Sequence, residues 1–274
     1  MMFFDSLEEK IVAGRTRLCL GIDPQRQPGQ PFSAIEGMVR SLAGQAIAHD
    51  LPAVKLQSAY FEAFGLDGMK LLQAVIADLK RHGVLVILDA KRGDISSTMK
   101  AYGEAAFDWL HADCLTVNPY MGIDTIEPLL PWLRQGKGIY AVWLTSNKSA
   151  DALQLSASGA RPFVAHVYDV IREYAHSQEV SRAVGYVLGA TKLSDPRVAR
   201  LVGGFPAESF LLPGVGAQGA VVDAAMHAFF LKHPASLVPV SREIGGHPFT
   251  AFADYDRVAG AAVSRLRAEL AVPV

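Results

Sequence analysis

An α/β fold of the (β/α)8 barrel type is predicted by three features of this 274-residue chain. Eight short apolar runs are bounded by Gly, Pro, Asp or Asn, and amphipathic helical patterns lie between most of them. Charged residues gather where the first three runs end, which is where parallel barrels carry their chemistry.

The runs are "RLCLGID" (17–23), "AVKLQ" (53–57), "VLVILDAK" (84–91), "CLTVNP" (114–119), "GIYAVWLTSN" (138–147), "AVGYVLGA" (183–190), "FLLPGV" (210–215) and "SLVPVS" (236–241). Each is too short for a helix and rich in aliphatic or β-branched residues, so each reads as a buried strand. In "AIEGMVRSLAGQAIAHD", Ile35, Met38, Val39, Leu42 and Ile47 recur at helical spacing. In "MKLLQAVIADLKRHG", Met69, Leu72, Ile76 and Leu79 share one face and Gly83 lies past the end. Strand–helix alternation demands parallel strands joined by helical crossovers. Eight such units across 1–274 make one barrel domain with outer helices. An open doubly wound sheet is less well supported, because "GIDPQRQPGQ" after the first strand does not fit a dinucleotide turn. "TSNKSADALQLSASGARP" (145–162) reads as a long loop at the barrel mouth.

Composition narrows the function class. Half the residues are apolar and 19% are charged, ordinary for a globular protein, and the formal net charge is −1. That balance gives no general attraction to nucleic acid or an anionic membrane, so any phosphate recognition has to be local. "MMFFDSLEEK" turns acidic too soon for a signal peptide, and no apolar stretch reaches bilayer-spanning length. Cys19 and Cys114 sit in apolar strands and read as buried free thiols, consistent with a cytoplasmic location. The eight His residues form no metal-ligand pattern, and Trp109, Trp132 and Trp143 read as packing residues.

Parity locates a site. Alternation along the third strand places Leu85, Ile87, Asp89 and Lys91 on one face, and the apolar Val84, Val86, Leu88 and Ala90 on the other. The apolar face suits the outer helices, so the charged one points into the barrel mouth. Asp23 ends the first strand, and Lys55 with Gln57 lies on the face of the second. Asp23, Lys55, Asp89 and Lys91 are therefore expected to converge, and their alternating signs offset the cost of enclosing them. The glycines of "PGVGAQGA" (213–220), ahead of a predicted helix start, let backbone N–H groups approach an anion; Arg242 follows the eighth strand.

"DAKRGDISST" resembles the D-x-K-x-x-D-I-x-x-T signature of orotidine 5′-phosphate decarboxylases. "GIDP", "VKLQSAYFE", "NPYMG", "TSN", "VLGAT" and "LLPGVGAQG" follow in that family's order, with the longer loops and wording of its longer bacterial branch. The resemblance implies a carboxy-lyase that converts orotidine 5′-phosphate into uridine 5′-phosphate and carbon dioxide without metal or organic cofactor. It further implies that Asp23, Lys55, Asp89 and Lys91 match the family's alternating array, with Lys91, Asp89, Lys55 and Asp94 catalytic and Asp23 binding substrate. Asp94, Ile95 and Thr98 would reach the neighbouring site of a homodimer. Ser146 would meet the pyrimidine, and Gln218 and Arg242 the phosphate. "VKLQ" departs from a wording common in the branch, as does Ala220, but neither change removes a charge.

The chemistry accounts for the charges. Loss of carbon dioxide leaves an electron pair in the ring plane with no conjugated sink, and a preplaced ammonium both stabilises and protonates it. Lys91, flanked by Asp89 and Asp94, is the expected acid. Three rivals remain. A magnesium-dependent sugar-phosphate decarboxylase or lyase of the same barrel suprafamily is disfavoured by the second cation, Lys55. A Schiff-base lysine requires a neutral amine, and a phosphate-ligand binding protein has no need of four alternating charges.

Overall fold

The computed structural model describes residues 1–26, 29–158, 161–216, 219–247 and 252–272. Eight parallel strands form its main sheet: β1 (Leu18–Ile22), β2 (Ala53–Gln57), β3 (Leu85–Arg92), β4 (Cys114–Val117), β5 (Gly138–Leu144), β6 (Val184–Leu188), β7 (Phe210–Leu211) and β8 (Val238–Val240). β1 pairs with both β2 and β8, and consecutive strands neighbour one another from β1 to β7. A parallel bridge between Leu211 and Leu237 brings the sheet's ends together, so the ring is the barrel expected from the eight runs.

Strand parity sorts the apolar residues into two cores. Leu18, Leu20, Ile22, Val54, Leu56, Val84, Val86 and Leu88 pack outward against helices that include Phe32–Ala48 and Gly65–Arg81. Cys19, Ala53, Ile87, Cys114, Tyr140 and Val187 face inward as a separate cluster. The apolar stripes foreseen for the two helices are those buried, with Ile47 and Met69 at the margin. Both cysteines are free and buried.

The inner cluster is sealed from the amino-terminal side by the helix Phe3–Gly14. Its Phe3, Phe4, Leu7 and Ile11 join the inward-facing residues of the strands. Phe4 meets Tyr140 edge to face at 5.1 Å. Glycines make the room: a Cβ at Gly138 would lie 2.5 Å from Phe3, and one at Gly185 would lie 2.6 Å from Phe4. One end of the barrel is thereby filled with hydrocarbon, leaving the carboxyl ends of the strands as the open face.

Three expectations need correction. The 145–162 segment is more ordered than a plain loop, because Ala150–Gln154 forms a helical turn and Ala157–Ser158 pairs with Arg161–Pro162. Trp109 is 47% exposed rather than packed, since it ends the helical stretch Glu104–Trp109 facing outward. β3 is not regular to its end. Its register with β4 passes from Leu88 opposite Leu115 to Arg92 opposite Val117, so Asp89, Ala90 and Lys91 together face the single residue Thr116. Such a bulge re-aims side chains. No described helix is long and apolar enough to cross a membrane.

Truncating Phe4 to Ala removes a ring that is 1% exposed from the barrel plug. A loss of about 3–5 kcal/mol is expected, the range for buried Phe→Ala changes. Denaturant unfolding should show a lower midpoint with an unchanged m-value.

Candidate active site

At the open end, β1, β2 and β3 deliver a four-membered chain of alternating charge. The Lys55 ammonium lies 3.0 Å from Asp89 Oδ2 and 3.5 Å from Asp23 Oδ1. The Lys91 ammonium lies 2.6 Å from Asp89 Oδ1. Register explains the assembly: Gly21 pairs with Lys55, Lys55 with Ile87, and Gln57 with Asp89, so the inward side chains rise in a staircase toward the mouth. Asp89 is the centre of the group. Its two oxygens receive different cations, and Thr116 and Gln57 also donate to it, at 2.9 and 3.4 Å.

Electrostatics follow from burial and pairing. Asp89 is 5% exposed and Lys55 6%. Burial by itself would push the Asp89 carboxyl up, but Lys55 and Lys91 outweigh it and hold its pKa at about 2. Burial likewise opposes charge on Lys55, yet Asp89 and then Asp23 raise its pKa above the ordinary lysine value. Asp23 differs from its neighbours. Its Oδ1 is buried and has no hydrogen-bond partner among the described residues, since the Lys55 contact is an ion pair without hydrogen-bond geometry. An acceptor left in this state is suited to a donor from a bound molecule.

These residues line one side of a cavity of about 460 Å³, a size that admits a nucleotide-sized ligand. Thr145, Ser146 and Asn147 after β5, Pro213–Val215 after β7 and Ser241–Glu243 after β8 complete the lining. Ser146 and Arg242 thus share the cavity with the charged array. The segment carrying Ser146 is held from both directions. Gln154 accepts from the Thr145 amide at 2.8 Å, while Thr145 donates to Asn147 at 2.6 Å. The backbone of Ser146 also lies where Gly189 has no side chain, only 2.8 Å from an added Cβ.

Other expected site residues fall elsewhere. Gln218 lies outside the described residues. Asp94, Ile95 and Thr98 do not line this chain's cavity, and the Asp94 carboxylate accepts the Ile95 amide at 2.8 Å. The remaining charge of the motif, Arg92, is turned aside. It bonds Glu62 and covers the Tyr102 ring at 5.0 Å, which makes it a structural brace.

The glycine loop, expected to cradle an anion, is described except at residues 217 and 218. Gly216, Gly219 and Ala220 spend their N–H groups on carbonyls of the loop itself. The following helix begins only at Ala224, where the Asp223 carboxylate accepts the Met226 amide. An acid thus caps that helix start through one amide. Gly216 has φ +73°, and a Cβ there would collide with Glu243, so close passage over that carboxylate is the use of this glycine. Arg242, on the short turn Arg242–Gly245 after β8, is the cation that lines this end of the cavity among the described residues.

Thr116 escaped sequence reading. It looked like one more β-branched strand residue, and only the register with β3 shows that it touches Asp89 and Lys91.

Comparison with known proteins gives a consistent result. The profile of the orotidine 5′-phosphate decarboxylase / HUMPS family matches residues 16–249. The orotidine 5′-phosphate decarboxylase of Salinispora tropica is 36% identical over 256 residues, covering 89% of this chain and 90% of that protein. The one from Deinococcus radiodurans is 34% identical over 244 residues, covering 88% of each. Among solved structures, Leishmania donovani OMP decarboxylase superposes with a TM-score of 0.76 at 30% identity, covering 98% of both chains.

The Asp89 pKa near 2 is below the roughly 3.9 of an unfolded aspartate, so its ion pairs stabilise the fold fully above about pH 4. That contribution is lost as pH falls toward 2. In denaturation measured against pH, Asp89→Asn should show a flatter decline over this interval than the parent chain. Lys55→Met, which strands Asp89 with one cation fewer, should lower stability near neutrality by about 3–5 kcal/mol.

Proposed function

This chain belongs to the orotidine 5′-phosphate decarboxylase family, and we propose that its decarboxylation of orotidine 5′-phosphate, a carboxy-lyase step of pyrimidine synthesis, runs on the Asp23–Lys55–Asp89–Lys91 array. The observation that carries this reading is the placement of Asp89 between two ammonium groups, 2.6 Å from one and 3.0 Å from the other, inside the cavity. As the bond from ring carbon 6 to the carboxylate breaks, its electron pair stays on the carbon and carbon dioxide leaves. The Lys91 ammonium then gives that carbon a proton, yielding uridine 5′-phosphate and a neutral amine. No cofactor is needed, because a fixed positive charge stands where the negative charge develops. Asp89 orients Lys91 and crowds the departing carboxylate; its low pKa supports an ionised state at neutral pH.

Lys55 keeps Asp23 and Asp89 apart as separate anions, and Asp23 Oδ1, lacking a hydrogen-bond partner among the described residues, accepts a ribose hydroxyl. Ser146 meets the pyrimidine from the segment after β5. Arg242 grips the phosphate with two donors, and Gln218 assists from the loop after β7. A magnesium-centred reaction fits less well, because an ammonium already stands between the two carboxylates that would bind the ion.

The protein acts in the cytoplasm as a homodimer, with Asp94, Ile95 and Thr98 completing the neighbouring site. Two features support that assembly. Ile95, Tyr120 and Met121 are exposed apolar residues on the loops after β3 and β4. Those loops adjoin, since the Asn118 amide bonds the Arg92 carbonyl and the Asn118 carbonyl abuts Gly93.

Purified protein mixed with orotidine 5′-phosphate and a chelator should change the pyrimidine absorbance at an undiminished rate. Lys91→Ala should cut kcat by at least about 100-fold, the lower range for a positioned general acid. Near-normal turnover by that variant would refute the central assignment. Arg242→Ala should raise KM, and weaken uridine 5′-phosphate binding, by about tenfold or more. Unchanged product affinity would remove Arg242 from the phosphate site.

A further inference from the structure

Thr116 is fully buried on β4, inside the barrel, and it is the one residue of that strand facing the bulge of β3. A bulge leaves a backbone donor without a partner in the ladder, and a buried N–H must find another acceptor. Here the Lys91 amide donates to Thr116 Oγ1 at 2.8 Å. The same hydroxyl donates to Asp89 Oδ1 at 2.9 Å. Its polarity is fixed: an amide can only give and a carboxylate can only take, so the single hydroxyl proton goes to Asp89.

Two consequences follow for the charged array. Lys91 has φ +46°, a left-handed conformation that residues with side chains adopt rarely. Held by its amide in that conformation, Lys91 turns its ammonium back onto the carboxylate two positions earlier. The Asp89 oxygen bonded by Thr116 is also the one that receives Lys91, while its other oxygen receives Lys55 and Gln57. One hydroxyl therefore sets the rotation of Asp89 and the backbone of Lys91 together.

We propose that Thr116 is a positioning residue for decarboxylation, clamping Lys91 and Asp89 in the relative geometry that aims the ammonium at ring carbon 6. The inference rests on Lys91 being the proton donor. Its role is exerted in turnover more than in ligand affinity, because Thr116 lies beneath the array and the cavity is lined by other residues.

The test compares Thr116→Val, which keeps the shape and removes the hydroxyl, with Thr116→Ser, which keeps the hydroxyl, and with Lys91→Ala. Thr116→Val should lower kcat by roughly ten- to hundredfold, as expected for losing a hydrogen bond to a charged group. Its affinity for uridine 5′-phosphate should stay within about threefold, and Thr116→Ser should recover most of kcat. Thr116→Ala carries the same expectation if the valine variant does not fold. A kcat within about threefold of the parent for the hydroxyl-free variants, beside an inactive Lys91→Ala, overturns the positioning role alone. Equal damage from serine and valine also overturns it, because the methyl packing would then be what matters. An active Lys91→Ala sinks the assignment of the acid, and this inference with it.

Discussion

A carboxylate buried between two ammonium groups is the constraint from which the rest of this molecule can be read. Asp89 by itself would be expelled from the barrel or protonated; with Lys55 and Lys91 it is ionised with a pKa near 2. The cost of removing these charges from water is offset only while all of them stay in register. That requirement explains why the array is built on strands rather than loops. β1, β2 and β3 are hydrogen-bonded to each other, and their register fixes how far each side chain stands above the barrel interior. In the proposed reaction the buried Lys55 and Asp89 hold the more exposed Lys91 ammonium in place beside the developing charge.

The hydrocarbon below the array is part of the same design. Phe3, Phe4, Leu7 and Ile11 seal the amino-terminal end, and Cys19, Ala53, Ile87, Cys114 and Tyr140 fill the barrel between that plug and the charges. Lys55 and Asp89 are therefore solvated from one direction only. Small residues are placed to match: Gly138 and Gly185 admit the two phenylalanines where any side chain would exclude them.

The two ends of the cavity are built on different principles. The end on β1–β3 is rigid and over-determined, with each oxygen of Asp89 assigned to its own donors. At the other end, Arg242 is exposed and sits on a short turn beside Glu243, which is held by Arg265. In the described part of the glycine loop, the amides of Gly216, Gly219 and Ala220 bond carbonyls of the loop itself, and an acid caps the helix after it. Among the described residues, Arg242 is the cation lining this end.

The sequence alone was enough for the barrel and for the position of its charges. Period-two alternation in β3 separated Asp89 and Lys91 from Val84, Val86 and Leu88, and the outer and inner cores divide along that line. Helical spacing located the buried stripes of the outer helices, because periodicity is a local property of the chain. Pairwise facts between distant segments were not legible. Alternation treats β3 as regular, whereas Lys91 sits in a bulge with a left-handed backbone, its amide bonded to Thr116 of another strand. The use of Phe3–Gly14 as a plug, the capping of the Ala224 helix by Asp223 and the tie from Gln154 to Thr145 were equally hidden. Each depends on which surfaces meet once the strands close into a ring, and that is decided by register and packing, which no local pattern of residues encodes.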